Sequence, residues 1–245
     1  MNTVAKSTVA IPRRLAHIWV GDRPAPTHWM RTWRDKHPDW DYTLYDTAYL
    51  TGRRWRNQAL IAEYFRRGRL EGVADLMRYE ILHEQGGFIP GADFECLHPC
   101  DELFTRPITY TCFETYPKKR CRMTPYLASA PGTDTLTLTL DVLVDRYAQA
   151  PETAEQPWIS VGNLFLRDLL DTHRDRMTQL EIFEAYTFIP QHKDKPRYDG
   201  PGKVYADHHW GTTLDRYGAA PARSTRDDTL AALQAALPER NEVTR

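Results

Sequence analysis

The stretch from Glu71 to Pro99, EGVADLMRYEILHEQGGFIPGADFECLHP, constrains the fold most. Val73, Leu76, Met77 and Ile81 recur at helical spacing and predict an amphipathic helix with its apolar face on a core. Asp75 and Arg78 stand three apart, so they share one face of that helix. Gly86-Gly87 ends it, since glycine takes the positive φ of a helix C-terminus. Phe88-Ile89 predicts a short buried strand, Pro90-Gly91-Ala92 breaks it, and extended chain resumes at Phe94-Glu95-Cys96-Leu97. Asp93 therefore sits where a strand ends and the chain bends, a common position for a carboxylate that meets a metal or a ligand.

Helix, strand and extended segments continue on both sides. Arg14 to Val20 predicts a first strand ending at Gly21. Pro26 to Lys36 predicts a helix with Trp29 and Trp33 on one face, and Asp41 to Tyr45 a second strand closed by Asp46. Further helices are expected over residues 57–69, from Asp134 to Tyr147, from Val161-Gly162-Asn163 to Leu170, and from Ser224, as N-cap, to Leu237. Pro107 to Glu114 and Met123 to Ala130 read as strands, joined by a basic loop from Pro117 to Arg122 able to touch acceptor or donor phosphate. Residues 1–10 and 238–245 are expected to be flexible. With no repeat and no linker, residues 1–245 read as one α/β domain.

The run Asp75-Leu76-Met77-Arg78-Tyr79-Glu80-Ile81-Leu82, followed by Gly86-Gly87 and an acidic motif, resembles the sugar-nucleotide-binding core of glycosyltransferase family 32. That group includes α-mannosyl- and α-galactosyltransferases and is related to the glucosylating domains of large clostridial toxins. Ile11 to Gly21 is similar to the family's opening I-P-x-x-I-H-x-I-W-x-G, and His208-His209-Trp210 to its closing H-x-W. Two positions depart from the pattern. Ile89 stands where the family usually has Tyr, and Gly91 replaces the first Asp of D-x-D, leaving Gly91-Ala92-Asp93.

The resemblance implies a GT-A-like fold, a mixed central sheet flanked by helices. It also implies retaining transfer of a hexose from a nucleotide-diphosphate sugar, such as a UDP- or GDP-sugar, to an acceptor. Taken alone, Trp19 reads as a core tryptophan; the resemblance has it stacking on the base. Asp75 is expected on the ribose hydroxyls, with Arg78 on phosphate or orienting Asp75; in isolation the two read equally well as a surface ion pair. Gly91, Asp93 and Trp210 complete the expected nucleotide-sugar contacts, and Asp93 is the expected catalytic carboxylate.

A leaving diphosphate develops negative charge, which a divalent cation neutralises. Mn²⁺, or Mg²⁺, is the expected cofactor, with Asp93 and His208 as its protein ligands and Glu95 as a substitute acid. No nucleophile announces itself, and Glu114 is a weak candidate for an acceptor contact. The alternative motivated by Gly91 is a degenerate, non-catalytic nucleotide-sugar or glycan-binding protein. A glycoside hydrolase would need two opposed carboxylates, and none stands out.

Composition excludes other classes. The 245 residues carry a net charge of −1, so no global field draws nucleic acid. The arginine clusters at 53–56 and 66–69 read as solvated faces. Cys96, Cys100, Cys112 and Cys121 show no paired framework; Cys96-Leu97-His98-Pro99-Cys100 hints at zinc, but no second ligand pair has matching spacing. Reduced thiols, no apolar run near ~20 residues and no signal-peptide core predict a soluble, cytoplasmic chain.

Overall fold

The computed structural model describes residues 9–115, 122–193, 195–219 and 224–237. Elements run in chain order as β1 (Arg14–Ile18), α1 (Thr27–Lys36), β2 (Asp41–Tyr45), α2 (Thr47–Thr51), α3 (Gln58–Arg66), α4 (Leu70–Gln85), β3 (Gly87–Phe88) and β4 (Phe94–Cys96). There follow β5 (Thr109–Cys112), β6 (Ala128–Ser129), α5 (Asp134–Tyr147), α6 (Pro157–Ser160), α7 (Asn163–Thr172), β7 (Leu180–Phe183), β8 (Ala206–His208) and α8 (Arg226–Ala235).

A six-stranded sheet has the order β2-β1-β3-β6-β5-β7. β1 is parallel to β2 and β3, β6 runs antiparallel to β3 and β5, and β7 is parallel to β5. This mixed sheet with helical cover agrees with the expected architecture. One apolar cluster joins β1 to α3, α4, α5 and α7 through residues such as Leu60, Leu76, Leu140 and Phe165. A second lies around Trp33, Phe88, Phe104 and Phe188. The glycine pair after α4 has a steric reason: Gly87 has φ +108°, and a Cβ there would lie 2.6 Å from the Arg14 carbonyl oxygen. Only a residue without a side chain lets β3 come this close to β1.

β4 and β8 form a separate two-stranded ribbon, with Phe94 opposite His208, Glu95 opposite Asp207 and Cys96 opposite Ala206. Its outer edge is covered by α1, as unpaired edges require. Trp33 Nε1 donates to the Phe94 carbonyl at 2.7 Å, and Thr32 Oγ1 accepts from the Cys96 amide at 2.8 Å.

Several sequence expectations need correction. The strand expected from Met123 to Ala130 is reduced to Ala128–Ser129 plus one isolated bridge, Phe113 to Met123. Pro125 interrupts it, because proline has no N–H for a ladder. The helix expected over residues 57–69 stops at Arg66, and α4 restarts after Gly68, at φ +70°. α8 starts at Arg226, so the N-cap position falls on Thr225 rather than Ser224; Thr225 makes no side-chain capping bond, and the Arg226 amide donates to Ser224 Oγ at 3.1 Å. α2, α6 and β7 were not foreseen; Asp46, read as a strand end, caps α2 by accepting from the Tyr49 amide at 2.9 Å.

Cys96, Cys100 and Cys112 are buried free thiols, and no cluster of three metal-binding side chains occurs among the described residues. No described helix is long and apolar enough to cross a membrane. Lys118, Lys119, Arg120 and Cys121 of the basic loop, and residues 1–8 and 238–245, lie outside the described residues.

Candidate functional site

A cavity of about 620 Å³ opens beyond the end of β1, walled by α4, the turn after β3 and the segment after β8. Ligands collect at such carboxyl ends of strands in α/β sheets. Five residues singled out in the sequence line it together: Trp19, Asp75, Arg78, Gly91 and Asp93.

Trp19 is held at one end. Its Nε1 donates to the Arg23 carbonyl at 2.6 Å, and the ring meets the edge of Tyr217 with centroids 4.8 Å apart. Arg23 is pinned in turn by Asp215 at 2.8 Å. Asp22, next to it, accepts hydrogen bonds from the Ser224 and Thr225 hydroxyls, each at 2.6 Å, and so ties α8 to the rim.

On α4, Asp75 and Arg78 face each other at 3.9 Å, the limit of an ion pair. Asp75 is only 16% exposed, opening onto the cavity. Burial drives its carboxyl up to about 7; Arg78 opposes this incompletely, and Glu71 adds to the rise. Arg78 Nε is buried without a partner. Beneath the pair, His17 is fully buried on β1, and burial together with the Arg78 charge drives its pKa down to about 3. His17 is therefore a neutral imidazole, hydrogen-bonded through Nδ1 to the Tyr42 hydroxyl at 3.2 Å.

Asp93 is treated differently. Its Oδ2 lies 3.1 Å from His208 Nε2 and accepts from the Gly211 amide at 2.8 Å. Burial raises its pKa, but the His208 and Gly211 contacts more than reverse this, and the net shift is downward. The β4–β8 pairing explains how two residues 115 apart in sequence meet here. His208 is itself clamped between the Phe94 ring at 4.3 Å and the Trp210 ring at 4.2 Å.

Three expectations change at this point. Trp210 does not line the cavity; it is buried behind His208, its Nε1 donating to the Gln191 carbonyl at 3.2 Å. Its backbone holds φ +54°, uncommon for so bulky a side chain. Glu95 does not line the cavity either. It is engaged by His209 Nε2 at 2.9 Å, and that imidazole stacks on Trp29 with centroids 4.7 Å apart. Gly91 is required by space rather than by a positive φ: a Cβ there would lie 2.7 Å from the Phe94 ring and 3.1 Å from Asp93 Oδ1.

The site also recruits residues that the sequence reading passed over. Asp22, Arg23, Glu71, Thr212, Tyr217 and Arg226 all line the cavity. Tyr217 lies directly on Gly211, where a Cβ would fall 2.4 Å from its ring. Burial raises the Tyr217 phenol's pKa, with the Asp93 charge adding to the shift. The only signal for these residues was proximity in sequence to Gly21, Asp75, His208 and the α8 start.

Two metal-capable groups, Asp93 and His208, are in contact, and both Mn²⁺ and Mg²⁺ demand more ligands than these two provide. A cation held by these two would need its remaining ligands from elsewhere, since no group of three metal-binding side chains occurs among the described residues.

No family model matches the chain, and no curated protein matches it. Among solved structures, it is similar to the PaToxG glycosyltransferase, with a TM-score of 0.52 and 12% identity over 66% of this chain and 69% of that one. A glycosyltransferase involved in the glycosylation of the major capsid of PBCV-1 aligns over 91% of this chain and 99% of that one, at a TM-score of 0.40 and 11% identity. The first likeness bears on architecture alone: the fold is GT-A-like.

Proposed function

We propose that this chain is a glycosyltransferase that moves a hexose from a UDP- or GDP-sugar to an acceptor, with retention at the anomeric carbon and with Mn²⁺ or Mg²⁺. The observation that carries the reading is the convergence of Trp19, Asp75, Arg78 and Asp93 on one cavity of about 620 Å³. Ligand cavities run from roughly 300 to 1,000 Å³, so a nucleotide sugar is within range. In this reading Trp19 stacks on the base, Asp75 accepts from ribose hydroxyls and Arg78 donates to phosphate. Asp93 and His208 would hold the cation, whose role when bound is to neutralise charge on the departing diphosphate. The chain's own part is to hold Asp93 as an anion, to keep His17 neutral beside Arg78 and to present the two carboxylates at separate points of the cavity.

The test is nucleoside diphosphate release from UDP- and GDP-sugars, with and without Mn²⁺, and NMR assignment of the product anomer. Metal-dependent release with retained configuration is expected. Trp19→Ala should weaken nucleotide binding by roughly 1–3 kcal/mol, as loss of base stacking does; unchanged affinity in a folded variant would retire the stacking role.

A second reading has its own observation. The Phe94 ring fills the space that a side chain at position 91 would need, so position 91 offers no second carboxylate beside Asp93. A nucleotide-sugar or glycan-binding protein without turnover is consistent with that. Nucleotide binding without any release across the donor panel would favour it.

A further inference from the structure

Asp93 is wrapped by one short turn of chain. Its Oδ2 meets His208 Nε2 at 3.1 Å and accepts from the Gly211 amide at 2.8 Å, while its carbonyl oxygen accepts from the His209 amide at 2.9 Å. Residues 208–211 thus set the surroundings of the Asp93 carboxylate. The turn is not relaxed, since Trp210 in its middle holds φ +54°. A bulky residue keeps such a backbone only where its surroundings over-determine it.

The turn is fastened at two side chains. Trp210 is tied by its Nε1 to the Gln191 carbonyl at 3.2 Å. The second fastening is His209, which does not line the cavity. Its Nε2 lies 2.9 Å from Glu95 Oε2, and its ring stacks on Trp29 with centroids 4.7 Å and planes 6° apart. A stack and a hydrogen bond together fix both the place and the rotation of a planar ring. Both partners sit on ordered elements, Glu95 in the middle of β4 and Trp29 on α1. α1 is locked to β4 one turn further on, where Trp33 Nε1 donates to the Phe94 carbonyl at 2.7 Å and the Cys96 amide donates to Thr32 Oγ1 at 2.8 Å. Asp207, the cross-strand neighbour of Glu95, is engaged by Arg197 at 2.6 Å, which leaves Glu95 to His209.

We propose that Trp29 and Glu95 are positioning residues for Asp93, acting through His209. They hold the turn so that the Gly211 amide and the His208 imidazole both meet the same carboxylate oxygen. Neither residue lines the cavity, so their effect on a ligand is indirect. Glu95, expected from the sequence as a substitute acid for the cation, has a different part here: it holds the turn rather than the ion. The consequence for cation and nucleotide binding rests on the transferase reading, whereas the hold on Asp93 does not.

The first experiment uses the full chain without metal or ligand and reads amide hydrogen exchange by NMR. The Gly211 amide reports the turn, and the Tyr49 amide, bonded to Asp46 at the start of α2, serves as the control. Trp29→Ala should speed Gly211 exchange by about tenfold, and Glu95→Ala in the same direction, while Tyr49 stays within about twofold. Trp29→Phe, which keeps a ring for the stack, should restore most of the protection. The second experiment titrates UDP and GDP with and without Mn²⁺: Trp29→Ala should reduce the gain from Mn²⁺ by about tenfold, as loss of a supporting partner does, with Mn²⁺-free affinity unchanged. Unchanged Gly211 exchange in the folded variants overturns the proposal, and so does a rise that Tyr49 shares, which marks general loss of stability. An unchanged Mn²⁺ gain, where the parent shows one, also overturns it. Should Trp29→Ala fail to fold, Glu95→Ala decides by the same amides. Failure of the transferase reading is seen separately, as absence of nucleotide binding by the parent.

Discussion

Asp75 and Asp93 line the same cavity, both little exposed, yet their pKa values move in opposite directions. Asp75 has one cation at 3.9 Å and a like charge in Glu71, and its carboxyl rises to about 7. Asp93 has an imidazole at 3.1 Å and a main-chain N–H at 2.8 Å, and its carboxyl falls. Burial acts on both; at Asp93 the charge interaction with His208, together with the hydrogen bonds to the carboxylate, reverses the sign. Asp93 is thus prepared as a permanent anion, suited to a cation. Asp75 is a carboxyl short of hydrogen-bond donors that keeps its proton up to about pH 7, and ribose hydroxyls would supply such donors to its charged form.

The largest effect should come from removing the prepared anion. Asp93→Ala should weaken Mn²⁺-dependent nucleotide binding by about 3–5 kcal/mol, as the loss of one partner from a buried charge pair does. His208→Ala should weaken it by about 1–3 kcal/mol, in line with a lost hydrogen bond to a charged group. Calorimetric titration checks both.

A smaller effect sharpens the contrast from the side of space. Gly91→Asp, which adds a carboxylate two residues before Asp93, should destabilise the fold by roughly 1–3 kcal/mol, because the Phe94 ring must move. It should not tighten Mn²⁺ binding. Tighter Mn²⁺ binding at unchanged melting temperature would show that the ring yields freely.

The smallest effect has a sign set by linkage. Asp75 holds its proton up to about pH 7 when folded, against 3.8 ordinarily, so the folded state binds more protons across that window. Stability therefore falls as pH rises from about 4 to about 7, and the loss is complete above it. Asp75→Asn should raise stability at pH 8 by on the order of 1–2 kcal/mol and change little at pH 4, while weakening nucleotide binding. Thermal melts across pH test this. Asp93, with its depressed pKa, gives the opposite slope: its stabilisation is present at neutral pH and fades as pH falls through the folded-state pKa.

Long periodic elements were readable from sequence: β2 and α5 match their expected bounds, and α1 and α4 come within a residue or so. Short ones were not. β7 and α6 span four residues each, less than two helical turns or a clear alternation, and Pro125 hid the break before β6. Trp19, Asp75, Arg78 and Asp93, singled out in the sequence, line one cavity, whereas His208 does not line it and reaches it only through its contact with Asp93. The supporting place of Trp210 behind His208 was not legible. Tyr217 and Arg226 reach the cavity through the path of the chain after β8, which no local spacing encodes. The reason for Gly91 lies in the Phe94 ring, three positions on, and becomes visible only when that ring stacks on His208.

In the proposed function one cavity would hold a nucleoside diphosphate, with its Asp93 end acting through a cation and its Asp75 end acting without one. Titration of UDP and GDP into the parent, Asp93→Ala and Asp75→Asn, each with and without Mn²⁺, tests this directly. Mn²⁺ should tighten nucleotide binding in the parent and in Asp75→Asn, though the latter binds more weakly throughout, and should have no effect on Asp93→Ala. Equal tightening by Mn²⁺ in all three proteins, or no nucleotide binding by the parent, would rule out these roles for Asp93 and Asp75.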